Sequence, residues 1–194
     1  SFISLDQIGL SERNLRAMRK AMAQPHGIIL ISGPTGSGKS TTLYSLLAEL
    51  DREKKNVLSL EDPIEYFVDG VTQSQVRPEI GYTFANGLRT TLRQDPDVIM
   101  VGEMRDPETI AIAITAAETG HLVFATLHTN SASQTIHRIV DSFPPEQQQQ
   151  IRAQLSGSLL GIVSQRLIPR IKGGLIPSCE IMLNTQATAN LIRE

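Results

Sequence analysis

Gly33, Gly36 and Gly38, followed at once by Lys39, Ser40 and Thr41, are residue types that together can hold a polyphosphate. The glycines let the backbone aim several N–H groups inward at phosphate oxygens with no Cβ in the way. Lys39 can reach the β- and γ-phosphates of a nucleotide, and Ser40 can offer its hydroxyl to Mg²⁺. Chance glycine-rich turns also carry such patterns, so the flanks decide the reading. Before Gly33 stands the apolar run Ile28-Ile29-Leu30-Ile31-Ser32, and after Thr42 come Leu43, Leu46, Leu47 and Leu50 at helical spacing. A buried strand therefore turns abruptly into an amphipathic helix whose positive N-terminal end meets the same anion. The candidate phosphate-binding residues are Gly33, Pro34, Thr35, Gly36, Ser37, Gly38, Lys39, Ser40 and Thr41.

Carboxylates follow where an α/β sheet would present them. A second short strand, Asn56 to Leu60, delivers Glu61, Asp62 and Glu65 at its C-terminal end, the edge at which open sheets bind ligands. These acids are candidates for handling Mg²⁺ and for orienting an attacking water; without the phosphate loop upstream, an exposed acidic loop would be the better reading. Pro63 biases Asp62 toward an extended conformation, so Glu61 and Glu65 need not share a helical face, and spacing does not say which of them faces the γ-phosphate. Asp97-Val98-Ile99-Met100-Val101-Gly102-Glu103 is another buried strand ending in an acid, and Glu103 stands where phosphate-loop ATPases keep the acidic residue of their second nucleotide motif. His121 and His128 bracket the next strand. Their separation is poor metal-ligand spacing, but His128 ends a strand next in order after the one carrying Glu103, where either a phosphate sensor or an ordinary polar residue could sit. Arg89 and Arg93, one helical turn apart, are either a surface face or a source of one phosphate-sensing guanidinium.

The elements that must position these groups read as one α/β domain. At 194 residues with 40% hydrophobic content the chain can bury roughly 70% of its unfolded surface in a single core. Residues 1–10 show no strong period; Ser11 then caps a helix with Leu15, Met18 and Met22 on one face, stopped at Pro25-His26-Gly27. Asp69-Gly70 predicts a β-hairpin turn, with the strand after it reaching Val76. Thr83 caps a helix through Leu88 and Leu92; Asp106-Pro107 starts another with Ile110, Ile114 and Ala117 inward, ended at Gly120. Helices are expected over 131–141 and 146–160, strands over 165–169 and 175–183 about a Lys172-Gly173-Gly174 turn, and a last helix from Thr185. Both termini read as domain boundaries.

Composition excludes several classes. One cysteine, Cys179, allows no intrachain disulfide and no structural zinc site by itself. No segment reads as a signal peptide or a bilayer span. A net charge of −2 and 4% aromatic residues argue against a nucleic-acid ring motor, which needs a basic or aromatic strand-tracking surface. The other rival, a nucleotide-binding regulatory subunit without turnover, is opposed by the intact set Lys39, Glu65 and Glu103.

Over essentially its whole length the chain resembles the C-terminal ATPase domain of the type II secretion and type IV pilus motor ATPases. Four motifs occur in that family's order: the phosphate loop Gly33 to Ser40, an "Asp box" Leu60-Glu61-Asp62-Pro63-Ile64-Glu65-Tyr66, the segment Asp97 to Asp106, and a "His box" Thr119 to Asn130. The resemblance implies a RecA-like phosphate-loop fold, a mainly parallel sheet flanked by helices plus a small β-hairpin. It implies Mg²⁺-dependent ATP hydrolysis with Lys39 on the phosphates, Glu65 as catalytic base, Glu103 as the Mg²⁺-side acid beside Ser40, and His128 contacting the nucleotide's phosphate end. It further implies a cytoplasmic homohexamer, held to an inner-membrane pilus platform protein without direct membrane insertion and without nucleic acid. The family's PAS-like N-terminal domain, source of trans-acting arginines, is expected to lie outside residues 1–194. Within the family, Ala187 to Glu194, Phe143-Pro144-Pro145-Glu146-Gln147 and the lack of a four-cysteine insertion are similar to retraction motors, although Thr188 and Ala189 depart from the retraction signature. Tyr66 to Gln73 and Arg93 to Glu103 look more like extension motors, so extension or secretion is the alternative to retraction.

Overall fold

A computed structural model of the chain describes residues 3–194; Ser1 and Phe2, the first residues of the expected domain, lie outside the described residues. Strands β1 (Gly27–Ser32), β2 (Val57–Glu61), β3 (Val71–Gln75), β4 (Val98–Val101), β5 (Leu122–Leu127), β6 (Leu159–Pro169) and β7 (Leu175–Leu183) form one sheet in the order β3-β2-β4-β5-β1-β6-β7. Every neighbouring pair is parallel except β6 with β7. A strand covered on both faces reads as a continuous apolar run, and all six residues of β1 are buried. Ile28 and Leu30 enter one core, Ile29 and Ile31 the other.

Helices α1 (Glu12–Met22) and α2 (Lys39–Glu49) cover the face of Ile29 and Ile31. The opposite face carries α3 (Phe84–Thr91), α4 (Pro107–Glu118), α5 (Ala132–Asp141), α6 (Pro145–Ser158) and α7 (Gln186–Arg193). The expected caps are in place: the side chains of Ser11, Thr83 and Asp106 accept the backbone N–H of Asn14, Asn86 and Thr109, satisfying donors that a helix start leaves unpaired. The N-terminal segment, which shows no period, is nevertheless docked. Leu5 is fully buried, Ser45 Oγ donates to Ile3 O at 2.6 Å, and Arg19 ties Asp6 to Glu49 at 2.9 and 2.6 Å.

Two expectations are corrected. The Asp69-Gly70 turn does not close a hairpin: β3 runs parallel to β2, with Val71 opposite Val57. Residues 66–68 spend their backbone groups on a side chain instead of a ladder, since Gln73 donates to Tyr66 O at 2.9 Å and accepts from Val68 N at 2.7 Å. The small hairpin of this fold is β6–β7, closed beyond Pro169 and Leu175. The helix expected to reach residue 160 stops at Ser158, because Leu159 and the residues after it extend along β1 as a parallel strand. Leu155 and Leu159 share helical spacing, and only the proximity of β1 separates their fates.

Phe124 at the centre of β5 is fully buried against the α1 and α2 side. Phe124→Ala should lower unfolding free energy by about 3–5 kcal/mol in urea titration; a loss below about 1 kcal/mol would show that this core layer collapses around the gap.

Candidate active site

The phosphate loop leaves β1 at Ser32 and enters α2 at Lys39, at the C-terminal edge of the sheet. Its entry is sterically exacting, because a Cβ on Gly33 would lie 2.3 Å from Gln165 O and 2.4 Å from Ser37 Oγ. Gly38, the N-cap of α2, holds φ of 86°, a left-handed conformation that only glycine adopts without cost. Gln165 on β6 secures the loop from beneath: its Nε2 donates to Ser37 O at 2.8 Å and its Oε1 accepts from Thr42 Oγ1 at 2.9 Å. The result is a cleft of about 620 Å³ whose walls include Thr35 to Thr41, Glu65, Glu103, Arg105 and His128.

Charges converge in that cleft. Lys39 Nζ donates to Gly33 O at 2.7 Å and Pro34 O at 3.0 Å, and lies 3.4 Å from His128 Nδ1. Burial lowers the Lys39 pKa, with Glu103 working in the opposite direction. Glu103, just past β4, takes His128 Nε2 at 2.8 Å and an Arg105 guanidinium nitrogen at 2.5 Å. Lysine has hydrogens only to give, so His128 Nδ1 is the acceptor from Lys39 and Nε2 the donor to Glu103. Burial alone would raise the Glu103 carboxyl, but Arg105, then His128 and Lys39, outweigh it and hold the group below the usual carboxylate range. His128 falls between Lys39 and Glu103 because β5 lies between β1 and β4 in the sheet.

The three carboxylates after β2 separate. Glu61 still belongs to β2, is buried, and accepts from Tyr44 Oη, Ser59 Oγ at 2.6 Å and Gln73 Nε2 at 2.9 Å. Asp62 is exposed. Glu65 turns back to the loop, its Oε1 accepting from Ser40 Oγ at 2.9 Å. Neither arginine of the α3 region lines the cleft: Arg89 pairs with Glu108 and Arg93 is exposed. The guanidinium in this chain's cleft is Arg105, two residues beyond Glu103; that Glu-x-Arg spacing at a strand end was its only sequence signal. Gln165 and Tyr44 were likewise missed, being signalled by nothing more than polarity inside apolar elements.

The residues present fit a Mg²⁺-bound nucleotide. Ser37 Oγ is buried with no hydrogen-bond partner among the described residues, an orphaned hydroxyl inside the phosphate loop. No group of three or more His, Cys, Asp or Glu among the described residues is arranged to hold a metal. Mg²⁺ in such sites is bound through one or two protein oxygens with water and substrate phosphates, which suits Ser40 with Glu103 nearby.

Comparison with known proteins places this arrangement among relatives. The family model described as "Type II/IV secretion system protein" matches residues 1–193. The type IV pilus retraction ATPase PilT of Pseudomonas aeruginosa is 48% identical across 99% of this chain and 56% of its own length. Type II secretion system protein E of the same organism is 50% identical across 92% of this chain and 34% of its own length. A crystal structure of the pilus retraction motor PilT with bound ADP superposes with a TM-score of 0.88 at 47% identity, covering 100% of this chain and 56% of that one. The chain therefore spans about half, or a third, of the relatives it matches.

The lowered Glu103 pKa links stability to acid pH. Its contribution is complete above the unfolded carboxylate value near 4.5 and is lost as pH falls through the lower folded value. The thermal stability gap between the parent protein and Glu103→Gln should therefore be widest at neutral pH and close on acidification; a gap independent of pH would remove the Arg105–Glu103 pair from the stability of the site.

Proposed function

We propose that this chain, which belongs to the Type II/IV secretion system protein family, is the RecA-like ATPase domain of a pilus or secretion motor. The observation that carries the reading is the convergence of Lys39, Ser40, Glu65, Glu103 and His128 on one phosphate-shaped cleft. The loop N–H groups and the N-terminus of α2 hold the ATP phosphates, and Lys39 exchanges the Gly33 and Pro34 carbonyls for phosphate oxygens. Ser40 and Glu103 would hold Mg²⁺, which would supply charge neutralisation to the bound phosphates. The Glu65 carboxylate, unlike that of Glu61, stands outside the buried network and orients the attacking water. His128 links Glu103 to Lys39 across the cleft.

Retraction is the favoured direction, supported by 48% identity to a retraction ATPase across nearly the whole chain and by the C-terminal resemblance. Secretion is the alternative, supported by 50% identity to a type II secretion protein over a slightly shorter span. The full assembly is a homohexamer on the cytoplasmic side, docked to an inner-membrane platform protein, with arginines donated in trans from outside residues 1–194. Among the described residues no helix is long and apolar enough to cross a membrane.

On full-length protein, steady-state ATPase activity should rise steeply with protein concentration, since a trans arginine is worth about 10³–10⁵ in rate. Glu65→Gln should nearly abolish turnover while nucleotide binding persists. Activity flat with concentration would remove the shared site; turnover retained by Glu65→Gln would remove the base assignment; stimulation by nucleic acid would revive the rival ring motor.

A further inference from the structure

We infer that Tyr44 is a positioning residue for hydrolysis, its hydroxyl fixing the backbone that aims Glu65 at the phosphate loop. The inference rests on the proposed role of Glu65 as base. Tyr44 and Ser40 are four residues apart on α2 and so share a face, and that face meets the Glu65 loop twice. Ser40 Oγ takes the Glu65 carboxylate at 2.9 Å, while Tyr44 Oη accepts the backbone N–H groups of Glu65 at 3.2 Å and Tyr66 at 3.4 Å.

The hydroxyl can accept both because its own hydrogen is committed to Glu61, buried beneath it. Burial, then the bond to Glu61, raises the Tyr44 pKa, so the donor stays protonated across the working range. The ring is also fixed, meeting Tyr66 edge-on at 5.6 Å. On the far side Gln73 holds Glu61 and Tyr66 O at 2.9 Å and Val68 N at 2.7 Å. Glu65 is therefore carried on a loop pinned to the same helix into which the phosphate loop runs.

Tyr44→Phe deletes the one oxygen and keeps the ring. In full-length protein it should lower kcat by about 10- to 100-fold, the scale of a misplaced catalytic group, with ADP affinity and KM for ATP held. Single-turnover rates for Tyr44→Phe, Glu65→Gln and the double variant complete the test. If Tyr44 acts through Glu65, the double variant is no slower than Glu65→Gln. Multiplied losses in the double variant, or wild-type kcat in Tyr44→Phe beside an inactive Glu65→Gln, would overturn the positioning role. An active Glu65→Gln would instead overturn the base assignment beneath it. Should Tyr44→Phe lose ADP binding through misfolding, Gln73→Ala probes the same loop from outside the cleft: a kcat loss at constant ADP affinity supports the inference, and unchanged kcat overturns it.

Discussion

The close approach of the phosphate loop to β6 is the contact on which the site depends. Gly33 passes so near the Gln165 carbonyl that no side chain fits, and the Gln165 amide then bridges Ser37 and Thr42 on either side of Gly38. An anion-binding loop must present N–H groups inward, which leaves its carbonyls facing away and in need of donors. One buried glutamine answers that need at Ser37 and anchors the first turn of α2 in the same stroke. The loop's shape is therefore set by a strand more than a hundred residues downstream.

Sheet order does the corresponding work for charge. With β5 between β1 and β4, the residue at the end of β5 stands between the lysine of one neighbour and the acid of the other. His128 consequently bridges Lys39 and Glu103, two groups whose burial is tolerable only together. Arg105 adds a second cation on the Glu103 side, in a cleft whose walls also carry Glu61, Asp62 and Glu65.

The two acidic positions after β2 show how environment assigns roles to like residues. Glu61 lies in the strand and is consumed by three donors from α2, β2 and β3. Glu65, four residues on, has left the strand and meets Ser40. The first acts as a post for the loop, and the second is left facing the end of the phosphate loop.

Much of the domain was legible without coordinates. The continuous apolar runs of β1, β4 and β5, the glycine-lysine-serine signature between a strand and a helix, and the caps Ser11, Thr83 and Asp106 are all local signals, written in consecutive residues. The same holds for Glu103 and His128, which stand just past strand ends at the ligand edge, and for Lys39, which opens α2 after the glycine loop. Which neighbours those ends acquire was not legible, because strand order is a property of the packed sheet. The direction of β3, the early end of α6 and the separation of Glu61 from Glu65 were decided by partners distant in sequence: β2, β1 and Tyr44. Arg89 makes the same point from the other side, since its helical position was readable but its partner Glu108 was not. Sequence alone determined which chemistry this protein carries, since residue type and local spacing suffice for that. Tertiary structure decided which acid meets the phosphate loop and which residues hold that acid in place, since hydrogen bonds close only between groups that folding has brought together.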